Sequence, residues 1–374
     1  TENEIMVQQS TREFVNNEIL PIIDKHFENG TFPDNLTSKI ADMGFFGINL
    51  PQEDGYGGMS NIIYGLVCQE IERGDSGIRS FISVQNSLVM FPIHAFGSDV
   101  QKQKWLPLLA NGESIGSFGL TEPDHGSDPG SMDTKAVKGD GGYILNGAKM
   151  WITNGSIADV SIVWAKTEEG VVRGFLVEKE MDGFTAPEMK HKWSLRASIT
   201  SELIFQDVYV PEENLLPGVE GLKGPLACLS QARYGIGWGA VGSAMAVYEA
   251  SVKYAKDRKQ FGKPIGSFQL VQEKLVWMLT EITKGQLLAY HTGKNKDAGS
   301  VTVQQISMLK RNNTWMAREC AKLAREIHGA NGISGEYPIM RHLMNMESVY
   351  TYEGTFDMHT LILGEDITGI PSFR

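Results

Sequence analysis

The segment Tyr352-Glu353-Gly354-Thr355 carries the carboxylate best suited to general acid–base chemistry. Its neighbours are mostly apolar or hydroxylic, and burial in such surroundings raises a carboxyl pKa because desolvation disfavours the charged form. A raised pKa suits a general base that works near neutral pH. A glutamate before a glycine is also common in surface loops, so the segment alone leaves both interpretations open.

Three further segments have residue types that suit a cofactor. The run Phe118–Asp128 packs hydroxyls, glycines and acids together, as in a polar linker or in a hydrogen-bonding rim for a heterocycle. Trp151–Asn154 pairs an aromatic face with a hydroxyl donor, a pattern also typical of a core strand and its turn. Arg258–Gly262 sets a guanidinium at a predicted helix end, where it would bind a pyrophosphate or face solvent.

Composition and motif content exclude several classes of function. The chain has 374 residues, a net charge of −11 and a pI of about 5.3, which argues against nucleic-acid or anionic-membrane binding. No apolar run reaches the roughly 18 residues that predict a membrane span. The sequence has neither a Walker loop nor a Rossmann glycine fingerprint, so these nucleotide-binding motifs are not predicted. It has no HExxH and no paired Cys-x-x-Cys motif, so no metal site is predicted.

The three cysteines, Cys68, Cys228 and Cys320, lie far apart and do not form a disulfide framework. This usage favours a reducing compartment. With no secretory segment at the start of the sequence, it predicts a bacterial cytoplasmic protein or, in a eukaryote, a mitochondrial-matrix protein.

The spacing of apolar residues divides the chain into three regions. Residues 1–115 predict helices, residues 116–217 predict short strands separated by turns, and residues 218–374 predict longer helices. This order indicates an α+β fold with a β-sandwich or barrel in the middle. The turn-formers between the strands include Gly139–Gly142 and Asn146-Gly147. Helices are predicted over Ile5–Ile19, Leu36–Met43, Tyr64–Arg73, Val84–Ala95, Pro225–Arg258, Gln269–Asp297 and Val303–His328.

The predicted helix Pro225–Arg258 is dense in small residues. Such residues allow helices to approach closely or a ligand to lie against the backbone, and the sequence leaves both possibilities open. They are Gly235, Gly237, Gly239, Ala240, Gly242 and Ala244.

Taken in order and spacing, five segments resemble the acyl-CoA dehydrogenase family. They are FGLTEPDHGSD, WITN, DRKQFG, HGANGIS and TYEGT, and the resemblance covers essentially the whole chain. Within the family, Ile78-Arg79-Ser80, the run LKRNN and the run YEGTFDMHTLILG are most similar to glutaryl-CoA dehydrogenases. The resemblance implies an N-terminal helical domain (1–115), a middle β-domain (116–217) and a C-terminal four-helix bundle (218–374). It also implies a homotetramer with one FAD per subunit.

The resemblance implies a role for individual residues as well. Glu353 would be the catalytic base, and its amide would bind the thioester carbonyl. Substrate-binding residues would be Arg79, Ser80, Ser83, Ser127, Arg233, Tyr352 and Gly354. FAD would lie against Phe118, Leu120, Thr121, Gly126, Ser127, Trp151, Ile152, Thr153, Thr355 and Asp357. Across a subunit interface it would meet Arg258, Phe261, Gln269, Glu326, His328, Gly329 and Ala330.

Arg79 bears on the choice of substrate. A purely fatty acyl pocket has no use for a buried guanidinium, because an unpaired buried charge costs several kcal/mol in order of magnitude. The distal carboxylate of glutaryl-CoA would supply the partner. Glu72 lies seven residues earlier, two turns along if the helix continues, and could orient Arg79. The alternative is a structural ion pair between Glu72 and Arg79 with no ligand.

The resemblance therefore implies FAD-dependent oxidation and decarboxylation of glutaryl-CoA to crotonyl-CoA and CO2, with electrons passed to electron-transfer flavoprotein. Three alternatives remain at this point: a short-chain acyl-CoA dehydrogenase or oxidase, a non-decarboxylating glutaryl-CoA dehydrogenase, and a non-catalytic protein that kept the fold. One departure from the family pattern is Phe356, which stands where the glutaryl enzymes usually carry histidine.

Overall fold

The computed structural model of the protein describes residues 1–372 and is helical over its first 110 residues. A π-helical turn, Val15–Ile19, joins the first two helices, and a second, Val84–Met90, joins the fifth and sixth. The helix from Asp99 is not among the predicted ones, because Pro107 interrupts its pattern. The helices are α1 (Glu2–Phe14), α2 (Leu20–Asn29), α3 (Leu36–Asp42), α4 (Asn61–Gly74), α5 (Ser76–Ser83), α6 (Phe91–Phe96) and α7 (Asp99–Ala110).

Helix α4 does not continue to Arg79, so the condition under which Glu72 would lie two helical turns before Arg79 is not met. Asp75 is in an extended conformation (φ −163°), so α4 ends before it and α5 starts after it. The Asp75 carboxylate accepts a hydrogen bond of 2.7 Å from the Gly77 amide, which caps α5. Its other oxygen accepts hydrogen bonds from Arg341 (3.0 Å) and Asn345 (2.9 Å). This buried carboxylate thereby ties the bend between α4 and α5 to a helix near the end of the chain.

The middle region forms one mixed sheet, in the order β1-β4-β2-β3-β7-β6, with β5 paired to the other edge of β4. β1 and β2 both run parallel to β4, and the remaining pairs are antiparallel. The predicted turn at Asn146-Gly147 is wrong: both residues lie inside β3, at a bulge where Gly147 has φ 145°. The strands are β1 (Gly116–Gly119), β2 (Lys135–Gly139), β3 (Gly142–Thr153), β4 (Val160–Thr167), β5 (Val172–Glu178), β6 (Phe184–Thr185) and β7 (Thr200–Pro211).

Long helices form the C-terminal region. α10 starts at a capping box between Thr302 and Gln305 and ends before Gly329, which has φ 58°. The last two helices of the chain were not predicted separately. The elements are α8 (Lys223–Asp257), β8 (Lys259–Gln260), β9 (Lys263–Pro264), α9 (Gln269–Asp297), α10 (Val303–His328), α11 (Ile339–Thr351) and α12 (Phe356–Thr368).

The small residues of α8 allow close packing against α4, which answers the question that the sequence left open. A Cβ added at Gly242 would overlap the backbone carbonyl of Gln69, and one added at Gly239 would overlap the Glu72 carboxylate. A Cβ at Gly237 would overlap Leu309 of α10. The glycines thus bring α8 close enough to α4 and α10 for buried side chains of all three helices to meet.

We expect Gly242→Ala to destabilise the protein by about 1–3 kcal/mol, because the clash is with backbone that has no room to move. The measurement is the shift of the thermal unfolding midpoint. Gly364→Ala in α12 is the matched control, since no described residue outside that helix turn lies within 4 Å of its added Cβ. The control should be neutral or stabilising by up to about 1 kcal/mol. Equal effects of the two substitutions would contradict the packing argument.

Candidate active site

Glu353 lies on a tight turn between α11 and α12. α11 ends at Thr351, and the side chain of Thr355 caps α12 by accepting a hydrogen bond of 3.1 Å from the Met358 amide. Between these helices, Glu353 has φ 55° and Gly354 has φ 92°. A left-handed conformation is uncommon for a residue other than glycine and is found most often at functional sites.

The Glu353 carboxyl group has a free oxygen and a raised pKa, two properties that suit proton transfer. Its Oε2 atom is hidden from solvent and has no hydrogen-bond partner among the described residues. Burial raises the pKa of Glu353 to about 7, against the opposing charges of Arg79, Arg233 and Lys310. The direction and the cause agree with the expectation from the sequence.

Arg79 is buried beside this turn, with 1% of its surface exposed. Its Nε atom donates to Glu72 Oε2 at 2.5 Å, and its Nη2 atom donates to the hydroxyl of Tyr352, the residue before Glu353. Nη1 makes no hydrogen bond with any described residue. The ion pair considered from the sequence is therefore present, and the guanidinium still has donors left for a ligand.

Two more buried cations face the turn. Arg233 on α8 donates its Nε to the Glu353 carbonyl at 2.7 Å, so it contacts the backbone of the turn. Lys310 on α10 donates to the Gly354 carbonyl at 2.7 Å and was not singled out from the sequence. The sequence did offer a signal for a buried lysine, because Lys310 lies four residues after Ile306 on the apolar face of a predicted helix.

With all groups ionised, the site has three cations against two carboxylates, which favours an anionic ligand. The cations are Arg79, Arg233 and Lys310, and the carboxylates are Glu72 and Glu353.

Of the serines predicted to bind substrate, two lie beside Arg79 and the third lies in an exposed loop. Ser80 and Ser83 are buried on α5 next to Arg79, and the Ser83 hydroxyl has no hydrogen-bond partner among the described residues. Ser127 and Gly126 are exposed in the loop after β1. No hydrogen bond within residues 1–372 joins Ser127 to Glu353.

The predicted flavin rim is assembled from two neighbouring segments. The Met150 amide donates to the Thr121 carbonyl at 2.8 Å and thus brings the segments around Phe118–Thr121 and Trp151–Thr153 side by side. Phe118, Leu120 and Ile152 are buried beneath.

Trp151 is held outward from this rim. It has φ 64° at a break in the pairing between β3 and β7, and 59% of its surface is exposed. An exposed indole presented by strained backbone at this break fits a flat heterocycle such as an isoalloxazine.

Beneath the rim, a buried ion pair between Lys149 and Glu122 (2.7 Å) anchors the loop after β1. Burial opposes ionisation of Glu122, but the Lys149 charge and hydrogen bonds outweigh it and lower the pKa of Glu122 to about 2. Glu122 also comes close to His125 and Asp133 in a geometry that could hold a metal ion. Its oxygens already accept from Lys149 and from the amides of Asp133 and Thr134, so we assign no metal site.

The remaining predicted cofactor residues lie elsewhere. An open groove lies where α9 begins and α10 ends. Phe261, which is 93% exposed, and Glu326 are among the residues that line it. His328 is 2% exposed and its ring stacks on Tyr254 at 4.3 Å, so it supports the groove from below. Arg258, Gln269, Gly329 and Ala330 are exposed at the same helix ends. No hydrogen bond or ion pair within residues 1–372 joins this group to the rim, and the resemblance assigns it to a second subunit's cofactor.

Thr355 and Asp357 lie at the start of α12, beside the catalytic turn, and Asp357 is exposed. Phe356 stacks on Tyr350 at 5.1 Å, and the Arg311 guanidinium lies over its ring at 4.0 Å. The departure from the family pattern is therefore accommodated by packing. None of the helices in residues 1–372 is long and apolar enough to cross a bilayer.

Comparison with known proteins gives a consistent result over the whole chain. Sequence profiles described as acyl-CoA dehydrogenase N-terminal, middle and C-terminal domains match residues 1–113, 117–208 and 220–368. A crystal structure of glutaryl-CoA dehydrogenase from Mycobacterium smegmatis is 51% identical, with a TM-score of 0.98, covering 100% of this chain and 96% of that one. A second, at 48% identity, TM-score 0.98 and the same coverage, is in complex with FADH2.

Curated relatives are similar over nearly their full length. An acyl-CoA dehydrogenase from Bacillus subtilis is 37% identical, covering 99% of each chain. A glutaryl-CoA dehydrogenase from Desulfococcus multivorans is 34% identical, covering 98% of this chain and 96% of the relative. The three matched domains, the helix–sheet–helix order and the glutamate on its turn lead to one conclusion: the chain belongs to the acyl-CoA dehydrogenase family.

Proposed function

We propose that the protein is an FAD-dependent glutaryl-CoA dehydrogenase that oxidises and decarboxylates its substrate to crotonyl-CoA and CO2. The observation that carries the proposal is Arg79, a buried guanidinium next to the catalytic turn with donors left unpaired by the protein. The similarity to FAD-containing glutaryl-CoA dehydrogenase structures supports it.

The argument for a dicarboxylic substrate is electrostatic. Glu72 binds only one edge of the Arg79 guanidinium, and Tyr352 accepts from Nη2 without adding charge at neutral pH, since burial raises its pKa. A carboxylate at the end of the acyl chain would pair with the free donors of Arg79. An alkyl chain would leave these donors unsatisfied in a buried site, at about 1–3 kcal/mol for each such group.

Glu353 is the proposed base. It removes the α-proton of the thioester, whose carbonyl accepts a hydrogen bond from the Glu353 amide as enolate character develops. The rim of Phe118–Thr121 and Trp151–Thr153 would hold FAD, which when bound would supply the hydride-accepting chemistry for the β-hydrogen. Since Oε2 of Glu353 has no hydrogen-bond partner within residues 1–372, the carboxylate is free to reach the substrate.

Decarboxylation would follow from the same constellation. Loss of the γ-carboxylate as CO2 leaves its electron pair delocalised into the thioester as a dienolate. Glu353, protonated by the first step, returns the proton to the γ-carbon and yields crotonyl-CoA. Arg79 would hold the carboxylate until it leaves, which keeps the γ-carbon within reach of Glu353.

Two partner assignments belong to the proposal. Electrons would pass to electron-transfer flavoprotein, as the resemblance implies. A homotetramer is supported by the exposed apolar residues of α9 and α12, and the mass of the holoprotein in solution tests it. These residues are Leu270, Val276, Leu279, Leu287 and Ile367.

We expect glutaryl-CoA to bleach the visible absorption of the bound flavin rapidly under anaerobic conditions, and butyryl-CoA to bleach it slowly. Arg79→Gln should lower kcat/KM for glutaryl-CoA about 100-fold or more, because it removes the charge that pairs with the distal carboxylate. Butyryl-CoA should be affected far less.

Arg79→Gln leaves the buried Glu72 carboxylate without its ion-pair partner, which by itself destabilises the protein. The double variant Glu72→Gln/Arg79→Gln removes that carboxylate and is the control for this effect. It should regain thermal stability but not glutaryl-CoA activity. Full glutaryl-CoA activity in either variant would make Arg79 structural and favour a short-chain acyl-CoA dehydrogenase or oxidase.

Product analysis separates the decarboxylating enzyme from the non-decarboxylating one. With an artificial electron acceptor, we expect crotonyl-CoA and CO2 to form in equal amounts. The carboxylate is attached to the γ-carbon, next to the new double bond, so its electron pair can delocalise through that double bond into the thioester. Chromatography of the CoA esters checks this. Accumulation of glutaconyl-CoA without CO2 would assign the non-decarboxylating reaction.

The activity should depend on pH through Glu353. The pKa of the carboxyl is raised to about 7, and only the carboxylate can accept the α-proton. The value of kcat/KM should therefore rise by about tenfold per pH unit below pH 7 and level off above it. Glu353→Gln should abolish flavin bleaching at every pH, and a pH-independent wild-type rate would argue against Glu353 as the base.

A further inference from the structure

The catalytic turn is held from below by a buried lysine. Lys310 Nζ donates to the Gly354 carbonyl at 2.7 Å and to the Tyr350 carbonyl at 3.3 Å. These two carbonyls lie on either side of Glu353, one in the last turn of α11 and one just before α12. A single ammonium group therefore spans the segment that carries the carboxylate.

The environment of Lys310 is unusual for a lysine. Its side chain is 0% exposed and lies on the apolar face of α10, between Ile306 and Asn313. Lysine is almost never fully buried unless it is paired. Within residues 1–372, Lys310 forms no ion pair at salt-bridge distance, and its hydrogen bonds go to backbone carbonyls alone. Its burial is thus explained by the turn that it holds.

The turn needs such support. Glu353 and Gly354 are both left-handed, and α11 ends immediately before them, so its last carbonyls have no helical partners. Arg233 takes the Glu353 carbonyl and Lys310 takes those of Tyr350 and Gly354. A Cβ at Gly354 would come within 2.9 Å of the buried His359 ring, which closes the turn from the side of α12.

We infer that Lys310 is a positioning residue: by holding the carbonyls of Tyr350 and Gly354, it keeps the Glu353 carboxylate and amide aimed at the acyl thioester. The inference rests on the proposed role of Glu353 as base. It does not depend on which acyl group the substrate carries, because Lys310 contacts the turn and Arg79 faces the acyl end.

Lys310 also affects the proton affinity of the base. Burial raises the pKa of Glu353, and the positive charges of Arg79, Arg233 and Lys310 oppose this. Burial lowers the pKa of Lys310 to about 7, so Lys310 carries its charge below that pH, where the rate rises as Glu353 loses its proton. Loss of this charge therefore raises the pKa of Glu353 further and moves the acid limb of kcat/KM, its rise with pH, to higher pH. The titratable or charged groups around Glu353 are Glu72, Arg79, Cys228, Arg233, Lys310, Tyr352 and His359.

The test compares Lys310→Met with Lys192→Met. Lys192 is a matched control because it also donates to two backbone carbonyls, those of Leu195 and Ser198, in a loop of the middle region. Lys310→Met should lower kcat about 100-fold with little change in KM, since small misplacement of a reacting group has effects of that order. It should also move the acid limb to higher pH. Lys192→Met should leave kcat and the acid limb unchanged.

Lys310→Gln gives a second measurement if the methionine variant folds poorly. Its amide keeps a donor without the charge, so we expect partial recovery of kcat with the acid limb still shifted. Hydrogen–deuterium exchange gives a readout independent of turnover. Amides of residues 350–356 should exchange faster in the Lys310 variants, and at the wild-type rate in Lys192→Met.

Several results would overturn the inference. One is that Lys310→Met and Lys310→Gln keep the wild-type kcat and the wild-type acid limb. A second is that the amides of residues 350–356 exchange at the wild-type rate in these variants. A third is that Lys192→Met loses as much activity as Lys310→Met. The comparison uses whichever acyl-CoA reduces the wild-type flavin. If that compound is butyryl-CoA, the glutaryl-CoA proposal fails while the Lys310 comparison still stands. If no acyl-CoA is oxidised, Glu353 is not the base and both fail.

Discussion

The contact between Arg79 and Tyr352 is the interaction on which the geometry of the site depends. It joins α5, near the start of the chain, to the end of α11, close to its other end. Four residues earlier, Asp75 accepts hydrogen bonds from Arg341 and Asn345 and so makes a second contact with α11. Because these groups are buried, each loses water on folding and needs its partner in place. Arg79, the proposed selector of the acyl group, is thus held next to the turn that carries Glu353, the proposed base.

The reactivity of Glu353 comes from a balance between burial and charge. Desolvation alone would keep the carboxyl protonated, and three cations bring its pKa back to about 7. Two of these cations, Arg233 and Lys310, bind backbone carbonyls of the turn and leave the carboxylate oxygens free. The same residues therefore hold the turn and tune the base. Direct ion pairing with Glu353 would lower its pKa too far and block its access to the substrate.

Much of the fold followed from local patterns. The three regions, the α+β class and the strands around Tyr143, Val160 and Phe175 have periodicities that tertiary contacts reinforce, so they were predicted correctly. The errors arose where tertiary contacts override local preference. Asn146-Gly147 reads as a turn, but pairing with β7 keeps it in a strand with a bulge. The sequence left open whether the helix before Arg79 continues, and it ends at Gly74 because Asp75 caps the next helix and has two long-range partners.

The sequence by itself determined the family and put Glu353 forward as the proposed base, because motifs such as TYEGT and FGLTEPDHGSD combine residue types that local structure alone does not require. It also placed Arg79 among the candidates. Only the tertiary structure decided that Arg79 contacts both Glu72 and Tyr352, and that Lys310 grips the catalytic turn. The reason is physical: a lysine on an apolar helix face acquires a role only from the carbonyls packed against it. Those carbonyls lie 40 and 44 residues further along the chain, in α11 and in the turn after it, and they meet α10 only in the folded protein.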